Sequence, residues 1–96
     1  MIVGYRDKRT SRFALGERVP AFSGIERAAR LKLDRLEAAS GLTDLAALPG
    51  NRFEALKGDQ KGQYSIRIND QWRICFAWPP RSLGPTAVEI VDYHSE

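Results

Sequence analysis

The chain has 96 residues and a formal net charge of +3 with a pI near 9.4, a mildly basic balance that admits a polyanionic partner such as RNA without requiring one. Its length supports one modest core, so a single domain over 1–96 is expected, and 43% hydrophobic with 28% charged residues is the balance of an ordinary soluble globular protein. No apolar run reaches membrane-spanning length and no secretion signal opens the chain. One cysteine, Cys75, and one histidine, His94, are too few for an internal disulfide or a Cys/His metal cluster.

These bounds fit a cytoplasmic protein with no membrane partner, no metal and no cofactor. In chain order, Ile2 and Val3 suit a short strand, and the polar stretch 6–12 suits a helix that Gly16 ends before a loop at Pro20. Ser23-Gly24-Ile25-Glu26 matches a capping box, in which serine and glutamate side chains satisfy orphan backbone donors. On a wheel of about 100° per residue, Ile25, Ala28, Ala29, Leu33, Leu36 and Ala39 then share one arc, predicting an amphipathic helix over 24–39. Ser40-Gly41 supplies its stop, with glycine taking the left-handed conformation. Thr43 caps one or two helical turns over 43–48, which the Pro49-Gly50 turn ends.

From Asn51 onward the pattern changes to strand. Residues 52–56 read as a short strand and 57–62 as a basic, glycine-containing connection. Residues 63–78 alternate apolar and polar with a period of two, in two runs separated by Asn69-Asp70-Gln71. A three-residue loop there pairs Ile68 with Trp72, Ile66 with Ile74 and Tyr64 with Phe76, because directly opposed residues share a face. The same register sets Arg67 opposite Arg73, two guanidiniums whose repulsion an anion between them would relieve. Pro79-Pro80 stops the ladder after Trp78, residues 81–85 form a loop, and 86–94 form the last strand.

Helices first and strands last predict an α+β fold, with N-terminal helices packed on one face of a largely antiparallel, twisted sheet. Tyr64, Ile66, Ile68, Trp72, Ile74, Phe76, Val88 and Ile90 are expected to meet the helix stripe. Ser65, Arg67, Asn69 and Arg73 are expected on an open, polar face.

The chain ends its last strand with Asp92-Tyr93-His94. A histidine, a tyrosine, a carboxylate and nearby arginines are the parts that metal-independent RNA cleavage needs. One group takes the proton of the ribose 2′-hydroxyl, another protonates the leaving oxygen, and cations stabilise charge on the phosphate. The plain structural readings stand beside this: a solvated His94, a core-edge Tyr93, Asp92 paired to an arginine, and Arg67 and Arg73 paired to Glu54 or Glu89. No nucleophile elbow, phosphate-binding loop or dinucleotide fingerprint occurs.

Four blocks carry a family resemblance: Pro49-Gly50-Asn51-Arg52, Leu56-Lys57-Gly58-Asp59, the run from Gly62 to Phe76, and Val88-Glu89-Ile90-Val91-Asp92-Tyr93-His94. Together they resemble HigB-type toxins, plasmid-maintenance killer proteins of the RelE/ParE superfamily. The resemblance implies a RelE-like microbial RNase fold and ribosome-dependent endoribonuclease cleavage of mRNA in the A site. It also implies a HigA-type helix-turn-helix antitoxin as partner, with operator DNA reached only through the antitoxin complex. Residue by residue, it implies Arg73 at the scissile phosphate, Lys57 holding RNA, and Asp92, Tyr93 and His94 as the functional triplet, with His94 transferring protons. Some members carry a second histidine where this chain has Glu54, which makes Glu54 a candidate general base. Arg52, Lys61 and Arg67 complete the candidate RNA or phosphate contacts. The alternative is a non-enzymatic, ParE-like toxin that acts on a protein target such as gyrase, for which His94 is dispensable; a binding module active only in operator regulation is a third reading.

Overall fold

A computed structural model describes residues 1–93. The helices are α1 (Lys8–Ala14), α2 (Glu26–Ala38) and α3 (Leu42–Ala46), and the strands are β1 (Glu54–Ala55), β2 (Gln63–Arg67), β3 (Trp72–Ala77) and β4 (Thr86–Asp92). The strands form one antiparallel sheet in the order β1-β2-β3-β4, so the α+β architecture is as the sequence predicts. The chain's start is not a strand of its own. It runs along the outer edge of β4, with a parallel bridge from Tyr5 to Val88.

Asp7 caps α1 by accepting a hydrogen bond from the Thr10 amide at 3.0 Å. The helix ends where Gly16 takes φ +95°: the Gly16 amide donates to the Phe13 carbonyl and the Glu17 amide to the Arg12 carbonyl, the paired bonds of a Schellman stop.

The other helix ends depart from expectation. Pro20–Phe22 forms a 3-10 turn with Ser23 as its last cap, so α2 begins at Glu26 from Ile25, with no side-chain hydrogen bond at its start. Proline's fixed φ nucleates that turn and occupies the residues the capping box would have used. Gly41 is extended (φ −175°), not left-handed, and serves with Ser40 as the lead into α3; Thr43 lies inside α3 and not at its cap. The Ser40 amide instead donates to Asp44 Oδ2 at 2.8 Å.

The hairpin register is as expected: Arg67 opposes Arg73, Ile66 opposes Ile74 and Tyr64 opposes Phe76. Ile66, Ile74 and Ile90 form one row across three strands and are each 0% exposed. They pack with Ile25, Ala29, Leu33 and Leu36 of the long-helix region into one core. Phe13 and Phe22 join it as a T-shaped pair 5.5 Å apart, and Phe22 meets Trp72 edge-on at 5.8 Å.

β1 is two residues, not five. Arg52 closes a 3-10 turn over Pro49–Asn51 in the left-handed conformation (φ 44°, ψ 52°), which breaks the strand before Glu54. β3 stops at Ala77, one residue before Trp78, and β4 carries a bulge where Ala87 (φ 52°) and Val88 together face Phe76. Beneath the Pro49–Asn51 turn, Lys32 of α2 is 7% exposed. Its ammonium donates to Asn51 Oδ1 at 2.8 Å and to the Gly50 carbonyl at 3.1 Å, while Asn51 Nδ2 donates to the Leu45 carbonyl. Burial lowers the Lys32 pKa, and the charges of Arg35 and Arg67 lower it further.

Candidate functional site

On the face away from the helices, pairing places two rows of side chains. One runs Glu54, Ser65, Cys75, Glu89 across all four strands; the next runs Arg67, Arg73, Val91. This face is not open throughout. Ser65 is 0% and Cys75 is 6% exposed, small side chains set among longer neighbours. The Ser65 hydroxyl has no hydrogen-bond partner among the described residues. Burial first, and then the Glu89 charge, push the Cys75 thiol up to about 11, so Cys75 is no nucleophile at neutral pH.

The opposed arginines are real, and the chain answers their repulsion itself. Arg67 pairs with Asp70 in the hairpin turn. Arg73 Nη1 donates to the carbonyls of Asn69 and Trp72, and its guanidinium lies over the Tyr93 ring at 4.9 Å. A bound anion is therefore not needed to explain the register. Nor do Arg67 and Arg73 pair with Glu54 or Glu89: Glu89 is taken by Arg6, whose Nε lies 3.7 Å from Glu89 Oε1.

Asp70 reports where the positive charge gathers. A hydrogen bond from Arg67 and its charge hold the Asp70 carboxyl below its ordinary value, and Arg52 and Arg73 add to the effect. Three arginines from three segments thus converge on the hairpin turn. The left-handed Arg52 contributes to the same end of the sheet: Arg52, Phe53, Glu54 and Arg73 line a cavity of about 310 Å³.

Other predicted residues fall elsewhere. Lys57 and Lys61 line a separate, largely apolar groove of about 430 Å³ with Leu56 and Tyr64. Asp92 opposes Trp72, so register assigns it to the helix side of the sheet rather than to Arg73's row. Gln71 Nε2 donates to Asp92 Oδ2 at 2.8 Å and binds that carboxylate to the hairpin turn. Tyr93 alone of the C-terminal triplet reaches Arg73 among the described residues, and His94 lies outside them.

Sequence reasoning missed a further cavity of about 460 Å³, lined by Arg6, Gln63, Glu89, Val91, Asp92 and Tyr93 among others. Burial raises the Glu89 carboxyl above its ordinary value, with Asp7 adding to the rise and Arg6 and Arg9 opposing it. The available signal was a glutamate between Val88 and Ile90, at the outward position of a strand otherwise apolar on both sides.

A model of the RelE-like toxin of the type II toxin–antitoxin system HigB matches residues 4–94. Toxin HigB-1 of Vibrio cholerae is 52% identical over 56 residues, 58% of this chain and 59% of that protein. An uncharacterized protein of Haemophilus influenzae is 32% identical over 63 residues, 66% of this chain and 62% of that protein. The chain thus spans about three fifths of the length of these curated relatives.

Proposed function

The chain belongs to the HigB-like family of RelE-like toxins, and on that premise we propose that it is the toxin of a type II toxin–antitoxin pair. Its activity in this reading is ribosome-dependent, metal-independent cleavage of mRNA in the A site, which stops translation. A HigA-type helix-turn-helix antitoxin neutralises it and carries it to operator DNA.

The observation that carries the reading is the gathering of Arg52, Arg67 and Arg73 at the hairpin end of the sheet face away from the helices, with Arg73 held on Tyr93 and lining a cavity with Glu54. Arginine presents a planar fork that suits a phosphate, and three of them supply positive charge against the negative charge that builds in a phosphoryl transition state. In the reaction, the ribose 2′-oxygen bonds to the neighbouring phosphorus and the bond to the 5′-oxygen breaks. The products are a 2′,3′-cyclic phosphate and a 5′-hydroxyl. Glu54 takes the 2′-hydroxyl proton and His94 returns one to the leaving oxygen, so each has a defined task. Arg73 holds the phosphate, Arg52 and Arg67 flank it, and Lys57 and Lys61 meet the RNA backbone further along.

Pulse-labelling of cells after induction tests the reading against the gyrase-directed one. Incorporation of methionine should stop first, with supercoiling unchanged, and co-expressed antitoxin should restore it. Early arrest of DNA synthesis with translation intact would point to a gyrase-type target instead.

A further inference from the structure

The 460 Å³ cavity is within the range of small-molecule sites, roughly 300–1,000 Å³, and none of the roles above uses it. Its charged lining is Arg6, Glu89 and Asp92, and of the two carboxylates Asp92 already accepts from Gln71 at 2.8 Å. The Glu89 side chain is 24% exposed, and its one partner among the described residues is Arg6 at 3.7 Å, an ion pair too long for a hydrogen bond. The partly covered carboxylate has no hydrogen-bond donor among the described residues, which leaves it able to accept from a ligand that brings donors. Val91 and the Tyr93 ring give the cavity flat apolar wall, and the Gln60 and Gln63 side-chain amides give it adaptable polar rim. Tyr93 also carries the Arg73 guanidinium, so the cavity adjoins the proposed phosphate site.

We propose that this cavity takes the base of a nucleotide next to the scissile phosphate and selects guanine, with Glu89 as the reading carboxylate and Arg6 holding it in place. The inference rests on the endoribonuclease reading for its RNA substrate, and on the cavity's own chemistry for the choice of base. An ionised carboxylate only accepts hydrogen bonds. Guanine offers two adjacent donors, N1–H and the N2 amino group, which a carboxylate takes in a bidentate pair. Adenine and cytosine each set a ring-nitrogen acceptor beside their amino group, which repels the second oxygen. Uracil has a single N–H between two carbonyl oxygens. The burial that raises the Glu89 carboxyl is the same desolvation that strengthens such a pair.

Backbone amide shifts of the purified chain, titrated with guanosine, adenosine, cytidine and uridine 5′-monophosphates, test this without cleavage. Guanosine monophosphate should move the amides of Gln63, Glu89 and Tyr93 at about tenfold lower concentration than the others, the low end of what one bidentate pair discriminates. Glu89→Gln should abolish that preference while inorganic phosphate still moves the amides around Arg73. Glu89→Asp, which withdraws the carboxylate by one methylene, should weaken the preference and serves if the first variant folds poorly. Arg73→Ala should keep the preference at lower overall affinity. Equal response to all four nucleotides, or a guanine preference untouched in both Glu89 variants, overturns the proposal. If the preference stands but ribosomes and mRNA give no cuts, the endoribonuclease reading fails and the base site survives it.

Discussion

The Arg73 guanidinium carbon lies 4.9 Å from the centre of the Tyr93 ring, joining β3 to the residue that follows β4. A guanidinium over an aromatic face gains about 0.5–2 kcal/mol, more as water is excluded. The contact also orients a long side chain that has other rotamers open to it.

That contact separates two roles for Tyr93. Tyr93→Phe keeps the ring and should retain cleavage within about tenfold, while Tyr93→Ala releases Arg73 and should cost about a hundredfold or more. Arg73→Lys should fall with the alanine variant, because an ammonium lacks the planar fork. Single-turnover rates on programmed ribosomes give the comparison. A Tyr93→Phe loss as deep as that of Tyr93→Ala would mean that the hydroxyl, not the ring, carries the function.

On the proposed function, Asp70 and RNA compete for Arg67. Its side chain is 95% exposed, so its ion pair adds little stability. Asp70→Asn should therefore leave the melting temperature nearly unchanged, tighten binding to single-stranded RNA, and steepen the dependence of log K on log salt by about 0.7, the single-strand increment for one more phosphate contact. Fluorescence anisotropy across a salt series measures both. Weaker binding would mean that Asp70 positions Arg67 rather than blocking it.

Glu89 makes stability depend on pH in an unusual direction. Its folded pKa is raised by burial, so the folded chain binds this proton more tightly than the unfolded chain. Stability contributed by Glu89 then falls as pH rises from the unfolded to the folded value, and stays reduced above both. Glu89→Gln should melt higher than wild type at pH 7, and equal to it below roughly pH 4, where the unfolded-state carboxyl is protonated as well. Thermal melts at the two pH values give the comparison. A lower melting temperature at pH 7 would mean that the Arg6 pair outweighs the burial.

The Lys32–Asn51 pair holds the turn that precedes Arg52. Asn51→Ala removes one of the two acceptors of a buried ammonium and one of the donors to the Leu45 carbonyl, which keeps the Leu48 amide, and should cost about 1–3 kcal/mol. Urea unfolding measures it. A loss under about 0.5 kcal/mol would show that water replaces the asparagine.

The hairpin is legible in the sequence because a period-two pattern on both sides of a three-residue turn permits only one register; a one-residue slip would expose Ile66 and Ile74. What is not legible comes from backbone irregularity and distance in sequence. No pattern marks Arg52 as left-handed, and that conformation cuts β1 short; Lys57 and Lys61 line a different groove from Arg73. The Pro20–Phe22 turn overrides a capping motif that matches on residue types alone. The Arg6 and Glu89 pair depends on the first residues lying along β4, a parallel contact that crosses the whole chain. Asp92 reads as a neighbour of the arginines in sequence, yet its register pairs it with Trp72 and it accepts from Gln71 at the rim of the Glu89 cavity.

The central claim is that Arg73 stabilises a phosphate cut on the ribosome. Primer extension on a defined mRNA, translated by purified ribosomes with wild-type chain or Arg73→Ala, tests it most directly. The account predicts cuts in register with the A-site codon for the wild type and their loss, by about a hundredfold or more, in a folded Arg73→Ala. Intact mRNA with the wild type, or undiminished cutting by Arg73→Ala, would contradict it.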